Sequence, residues 1–489
     1  MRLLSLPTTL QSRVRRCAAW ISMLPLLPVA VAQGQTTTMA VLPALSPPSF
    51  IEPLRERFFP PIATSGNERL TLTPFLSLGE RYDDNIFLTS SNTVSDAITI
   101  PAAGIRLRYV PTRETSLSFD YRVDGEIFAK HADQDAVSHQ GELRFASPIN
   151  PYLSLNVHDT FISTTEPLQK FASIDEATGL RDISQQSRSR TLRNTAGGSV
   201  EGRLAERVTF DLLFKHFLEN VSIPQELDET RYSIGAALGY LTDIARGSKA
   251  DVSYMVTFFT FGQNNTAALN LRSTGFQTHT VTAGFRHNFS PTLSGNAALG
   301  YTRTQSGDPA EDNLGGIVAS LNVTKQLRDG QVSFGYNGNF TSGGGLGGVV
   351  RENTLLGTFF WKATPKVTTI FASKFSLFDF KGEPVFGNTR AHSFLSLRPG
   401  LAYQILPLVN LAFYYTYEFT DFNSPNPNVD DQRFTLIAQL ALRANLFLKL
   451  TYDYSVRHLK DTTFNTLDLQ DFARNQVMLL LTYAPTLRF

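Results

Sequence analysis

The chain has 489 residues, a formal net charge of +1 and 18% charged residues. That balance excludes a strongly basic nucleic-acid binder, and a single cysteine, Cys17, excludes a disulfide framework. A soluble chain of this length divides into about two or three domains; from residue 70 onward, however, turn residues recur with no composition shift or linker between them, so that stretch reads as one domain.

At the N-terminus Arg2, Arg13, Arg15 and Arg16 precede an apolar stretch over 18–32 that ends Ala30-Val31-Ala32. A basic segment, a short apolar segment and a small-x-small ending make a secretory signal peptide over 1–32. With Pro25 and Pro28 inside it, the stretch is too short for a bilayer core of about 30 Å. Cys17 precedes the apolar stretch instead of following it, which argues against a lipoprotein site, and cleavage removes it. No later run is long and apolar enough for a helical span. Residues 33–69 are rich in proline, including Pro47-Pro48 and Pro60-Pro61, and show no sustained period. They read as an extended periplasmic lead-in.

From Leu70 the pattern alternates with period two, the mark of strands with unlike faces. Leu117, Phe119, Tyr121, Val123 and Ile127 interleave with Ser118, Asp120, Arg122, Asp124 and Glu126. Val332, Phe334 and Tyr336 interleave with Ser333, Gly335 and Asn337, and Leu448, Leu450, Tyr452, Tyr454 and Val456 with Lys449, Thr451, Asp453, Ser455 and Arg457. Connections alternate short (111–114, 149–151, 290–292, 328–329, 364–366, 406–408) and long (83–96, 166–189, 220–228, 262–273, 305–312, 379–388, 421–430, 459–471). Short periplasmic turns, long extracellular loops and an even strand number belong to outer-membrane barrels. The expected fold is all-β: a transmembrane antiparallel up-and-down β-barrel over 70–489, of about twenty strands (about 18–20), in the outer membrane of a Gram-negative cell. The last strand, with Val477, Leu479, Leu481 and Tyr483 alternating, ends on Phe489, the kind of terminal aromatic that the barrel assembly machinery reads. Phe258-Phe259 with Phe261, and Tyr414-Tyr415 with Tyr417, suit the aromatic girdles at the membrane interfaces.

If the apolar parity faces lipid, the opposite parity lines the lumen. It places there Arg106, Arg108, Arg122, Arg144, Arg193, Arg203, Arg231, Arg286, Arg398, Arg433, Arg443, Lys449 and Arg457, with Asp120, Asp124, Glu126, Glu142, Glu201, Asp211, Glu418 and Asp453. Bases outnumber acids, and most are arginine, which holds carboxylates, sulfates and phosphates bidentately. Two readings stand side by side: a basic passage for anionic solute or polymer, and a self-paired network that stiffens the wall. Asp120, Arg122, Asp124, Glu142 and Arg144 suit the second; the isolated arginines of the last five strands suit the first. The loop over 166–189 either folds inward as a constriction or lies outside.

Catalytic patterns are lacking. His131, His139, His158, His216, His279, His287, His392 and His458 are scattered, none in an HExxH or GxSxG setting. His158 and Asp159, adjacent on a strand, point to opposite faces. The paired acids Asp83-Asp84 and Asp430-Asp431 and the glycine-rich run 343–348 read as solvated loop charge and a hairpin tip. No catalytic residue, metal or cofactor is expected.

The first hairpin reads Tyr82-Asp83-Asp84-Asn85-Ile86-Phe87. This resembles the Tyr-Asp-x-Asn-(Ile/Val)-(Phe/Leu) signature of an outer-membrane β-barrel porin family that includes exopolysaccharide-cluster-associated members. The resemblance implies a monomeric barrel and, for some relatives, export of a secreted polysaccharide; it supplies no catalytic residues. Asp and Asn also suit a tight turn, with Ile86 and Phe87 tucked against the rim. The leading expectation is an exit pore for an exopolysaccharide, set against a diffusion porin for small anions and a non-conducting scaffold. Expected partners are outer-membrane lipid and lipopolysaccharide, the assembly machinery during biogenesis, the polysaccharide, and periplasmic export or synthase components. Processing after Ala32 makes Gln33 the first residue of the mature protein, which N-terminal sequencing of outer-membrane material checks.

Overall fold

The structure, a computed structural model, describes residues 69–112, 114–165, 190–222, 228–243, 247–262, 275–306, 314–342, 349–381, 391–422, 428–460 and 470–489. The signal peptide, the proline-rich lead-in, the loop 166–189 and the glycine run 343–348 lie outside the described residues.

The strands in chain order are β1 (Leu70–Asp83), β2 (Asp96–Tyr109), β3 (Ser116–Phe128), β4 (Ala136–Asn150), β5 (Leu153–Thr164), β6 (Thr191–Arg203) and β7 (Val208–Val221). They continue with β8 (Asp228–Asp243), β9 (Ser248–Gly262), β10 (Phe276–Ser290), β11 (Leu293–Ser306), β12 (Gly315–Leu327), β13 (Gly330–Ser342) and β14 (Val349–Trp361). The last are β15 (Val367–Lys381), β16 (Ala391–Leu406), β17 (Val409–Phe422), β18 (Asn428–Arg443), β19 (Leu446–Lys460), β20 (Phe472–Tyr483) and a two-residue β21 (Leu487–Arg488). Each strand pairs antiparallel with the next, and β20 pairs with β1, so twenty strands close on themselves. With an even count the start of β1 and the end of β20 lie at the short-turn rim, taken as periplasmic.

Register separates the two faces. Leu76, Leu78, Leu212, Phe214, Ile234, Leu238, Val281, Leu299 and Ile317 are exposed and share the outward parity. In a soluble protein so continuous an apolar surface marks a contact site; around a closed barrel it is the lipid-facing band. The aromatic clusters do not sit on one face as a girdle requires. Phe258 points outward, but Phe259 and Phe261 fall on the inward parity and are buried at the outer mouth. Likewise Tyr415 and Tyr417 face outward while Tyr414 faces the lumen. Adjacent aromatics on a strand alternate faces, which a cluster of letters conceals.

Closure depends on the seam between β1 and β20. Their pairing runs only from Leu76↔Tyr483 to Asp83↔Gln476, leaving the lower edge of β1 open. The C-terminal tail covers it: Arg488 and Leu487 pair with Thr71 and Leu72, and Phe489 exchanges backbone hydrogen bonds with Leu70 at 2.9 and 3.3 Å. In hydrocarbon each uncovered backbone group costs several kcal/mol, so the last three residues complete the wall.

At the outer end the motif Tyr82-Asp83-Asp84-Asn85-Ile86-Phe87 clasps the same seam. Arg474 Nε donates to Asp83 Oδ1 at 3.0 Å and Gln476 Nε2 to Asp83 Oδ2 at 3.0 Å. Asp84 accepts the Asn475 backbone N–H and side-chain amide, both at 2.7 Å. Asn85 Nδ2 donates to the carbonyls of Ala473 at 3.0 Å and Thr89 at 2.8 Å, while its Oδ1 accepts the Thr89 N–H at 3.0 Å. Ile86, with 0% exposure, packs with Ile98, Ile100 and Phe128, with Phe87 and Met478 against them. Leu88 holds a left-handed φ of 55°, a conformation that costs about 1–3 kcal/mol and persists where packing imposes it. The hexapeptide joins the first strand to the last.

Asp83 and Arg474 are both essentially inaccessible to solvent. Removing one partner of such a pair costs about 3–5 kcal/mol. Asp83→Ala and Arg474→Ala are therefore expected to lower the temperature at which the folded, fast-migrating band is lost in semi-native electrophoresis. Phe371→Leu, a conservative change on the outward parity far from the seam, is expected to leave it in place.

Candidate functional site

The inward parity of the pairing register contains Arg106, Arg108, Asp120, Arg122, Asp124, Arg144, Arg193, Arg231, Arg286, Arg398, Glu418, Arg433, Lys449, Asp453 and Arg457. Arg443 sits at the periplasmic end of β18, where the ladder shifts register, and is exposed at the rim.

Most of these arginines are engaged. Arg106 pairs with Asp120 at 2.5 Å, Arg122 with Asp124 at 3.0 Å, Arg144 with Glu142 at 2.5 Å and Arg81 with Glu126 at 2.5 Å. Arg193 pairs with Glu219 at 2.7 Å, Arg231 with Glu229 at 2.7 Å and Lys249 with Asp211 at 2.6 Å. In the last five strands Arg398, Arg433 and Arg457 are not isolated, contrary to the reading of the sequence, whereas Arg443 stands at the rim. Arg398 pairs with Glu418, Arg433 with Asp453 at 3.1 Å, and Arg457 holds Asp431 through Nε at 2.7 Å and Nη2 at 2.8 Å. Their partners lie on the next strand, some twenty or more positions away in sequence, so only the register reveals them. Asp83, Glu219, Glu229, Glu352 and Asp431 also join the inward face, which brings the wall close to charge balance. Arg108, Arg286 and Lys449 are not among these pairs, and all three lie in the periplasmic half of their strands.

A second arc of the wall is uncharged. The inward positions of β11, β12 and β13 carry Ser294, Asn296, Thr302, Thr304, Ser320, Asn322, Thr324, Gln331, Ser333, Asn337, Asn339 and Thr341, and no charged residue. Hydroxyls meet across strands here and beside it: Ser253 with Thr282 at 2.6 Å, Thr280 with Thr302 at 2.7 Å, and Thr324 with Ser333 at 3.2 Å. Charge scans along the sequence missed this arc; alternation of Ser, Thr and Asn with apolar residues over 293–342 is the signal that marks it.

The outer mouth is narrowed from two sides. The first loop places Ile86 inside the rim over β2 and β3. Opposite, pairing of β12 with β13 stops at Ala319↔Gly338, while β13 and β14 stay paired to Ser342↔Val349. The freed ends lean across the opening. Ser342 Oγ donates to Glu229 Oε1 at 2.8 Å, on a strand five places away around the wall. Strands so far apart are separated by about 24 Å along the perimeter, so they meet only by folding inward. Phe340 and Val349 pack there with Phe259, Phe261 and Phe276.

Among the described residues no group of three His, Cys, Asp or Glu is placed to hold a metal ion, and His158 and Asp159 fall on opposite faces.

A closed twenty-strand barrel with an apolar outer band and a polar inner wall is a multi-pass outer-membrane protein, built as a porin-like channel. Residues 262–442 match the model of the family described as "Putative beta-barrel porin 2". That match spans β10 to β18, well away from the first-hairpin motif, so two separate segments carry the resemblance. No curated protein matches the chain. Among solved structures it is similar to the siderophore receptor PirA from Acinetobacter baumannii (6% identity, TM-score 0.47, covering 85% of this chain and 80% of that one). It is also similar to the FrpB iron transporter from Neisseria meningitidis (8%, 0.46, 86% and 83%) and PirA from Pseudomonas aeruginosa (10%, 0.42, 85% and 81%). With TM-scores below 0.5, these likenesses carry no argument about this chain.

The inward lean of β13 and β14 makes a direct prediction. Truncating its contacts with Phe340→Ala and Ser342→Ala is expected to raise single-channel conductance in planar bilayers above that of the unmodified barrel. An unchanged conductance places the narrowest point elsewhere.

Proposed function

We infer that the protein is a passive exit passage for a secreted exopolysaccharide, carrying the polymer from periplasm to cell surface. The observation behind this reading is the division of the inner wall. One arc is an array of Ser, Thr, Asn and Gln; the other is a set of mutually satisfied ion pairs. A sugar polymer presents hydroxyls, which exchange hydrogen bonds with hydroxyls and amides at little net gain, about 0.5–1.5 kcal/mol each. Weak and repeated contacts let a chain advance, whereas tight ones would stall it. Arg108, Arg286 and Arg443 at the rim, which have no ion-pair partner among the described residues, put positive charge toward the periplasmic side, where an acidic polymer would enter. The resemblance of the first hairpin to exopolysaccharide-cluster-associated barrels is consistent with this direction.

A diffusion porin for small anions is the second reading, favoured by the same cations. The pairing of most other arginines weighs against it, because a small anion would have to displace a carboxylate already in place. In either reading the chain works as a conduit. Lipopolysaccharide and lipid surround it, and a periplasmic export or synthase component would dock at the short turns.

A clean deletion is expected to abolish polymer at the cell surface and retain it in the periplasm, with restoration from a plasmid. Normal secretion in the deletion strain would falsify the export reading. Free permeation of small anions through the purified barrel, in a strain with unchanged polymer, would favour the porin.

A further inference from the structure

Three aromatic rings on the inner wall share a local geometry. Phe75 on β1 pairs directly with Gly104, His158 on β5 with Gly197, and Tyr414 on β17 with Gly400. In each case the ring lies over the glycine. A Cβ added at Gly104 would meet Phe75 Cζ at 2.3 Å, one at Gly197 would meet His158 Cε1 at 2.6 Å, and one at Gly400 would meet Tyr414 Cδ1 at 2.9 Å. Absence of a side chain at the partner lets the ring settle against the backbone instead of standing into the lumen, and Tyr414 lies there beside Ile370, Ala402 and Ala412. All three residues are half-buried, as this arrangement requires.

Their positions coincide in height. Phe75 is five residues from Leu70, His158 five from Leu153 and Tyr414 five from Val409, each measured from the periplasmic end of its strand. At a rise of about 3.3 Å per residue and a tilt near 40°, all three lie about 13 Å above that rim. They are also evenly spaced, with four strands from β17 to β1 and four from β1 to β5. On the outward face the same pairing, Phe210 over Gly202, meets lipid; inside, the rings form part of the wall of the passage.

We propose that Phe75, His158 and Tyr414 form a level of stacking platforms that bind pyranose rings of a transiting glycan. A ring face carries negative quadrupole charge, and the apolar face of a pyranose presents a patch of weakly positive axial C–H groups. The two stack without a fixed hydrogen-bond register, so a polymer can step from one residue to the next. The platforms sit within the ion-paired arc and look across to the hydroxyl and amide arc, so one side of a sugar stacks while its edge hydroxyls reach polar groups. This assignment rests on the export reading for its biological setting, but it concerns sugar binding as such.

The test is calorimetric titration of the detergent-solubilised full barrel with cellohexaose, which needs no open pore, using polyethylene glycol of matched size as the control. Wild-type protein is expected to bind cellohexaose and not the glycol. The double variant Phe75→Leu/Tyr414→Leu keeps apolar bulk but removes the rings, and should lose at least tenfold in association constant. Phe75→Tyr/Tyr414→Phe retains the rings and should bind as wild type, which separates stacking from any folding defect of the leucine variant. Absence of cellohexaose binding by wild type, or equal binding by the leucine variant with a normal folded band, overturns the proposal. Binding that depends on the rings in a protein whose deletion leaves secretion normal would keep the platforms and dismiss the export reading; a secretion defect with no sugar binding would do the reverse.

Discussion

Every other feature of this protein depends on one constraint: a sheet in hydrocarbon must have no edge. Backbone N–H and C=O groups have no water to turn to there, so the first strand has to meet the last along its whole length. β20 covers only the upper part of β1, and the tail through Phe489 pairs with Leu70, Thr71 and Leu72 below it. Three successive polar residues, Asp83, Asp84 and Asn85, hold the outer end by binding Arg474, Asn475 and the Ala473 carbonyl. The contacts to Arg474 and Asn475 join positions 391 residues apart, so they lock the two ends of the barrel wall together.

Once the wall is closed, alternation assigns each side chain to lipid or lumen, and the lumen must manage its own charge. An arginine inside a narrow, partly desolvated passage is stable when a carboxylate faces it. The cross-strand and same-strand pairs at Arg193, Arg231, Arg398, Arg433 and Arg457 meet that need. Pairing has a functional consequence: it converts a wall that reads as basic into one that is nearly neutral over most of its height, with Arg108 and Arg286 the cations toward the periplasmic side that have no ion-pair partner among the described residues. The uncharged arc of β11–β13 has no such requirement, since hydroxyls and amides satisfy one another and release easily.

The mouth follows from a local failure of pairing. Where β13 leaves β12 above Gly338, the hairpin with β14 is free to lean inward, and its apolar residues find Phe259, Phe261 and Phe276 as a surface to cover. The narrowing therefore comes from the wall itself on this side and from the folded first loop on the other, and the buried aromatics at the rim serve the constriction, not a membrane girdle.

Much of this was legible in the residues alone. Period-two alternation from Leu70 to Tyr483, with short and long connections in turn, determines an outer-membrane barrel of about twenty strands, because strand periodicity and turn chemistry are local properties. The same alternation determines which of Arg106, Arg193, Arg398 or Lys449 can face inward. What alternation cannot supply is register, and register decides partners. Whether Arg457 is free or bound to Asp431, whether Asp83 caps a turn or clasps Arg474, and whether Phe340 lies against lipid or spans the mouth all depend on which residue of another strand stands opposite. Those distances are set by closure of the whole sheet. The tertiary structure alone decided them, since the free energy of an ion pair or a packed ring belongs to two positions brought together and not to either one in the sequence.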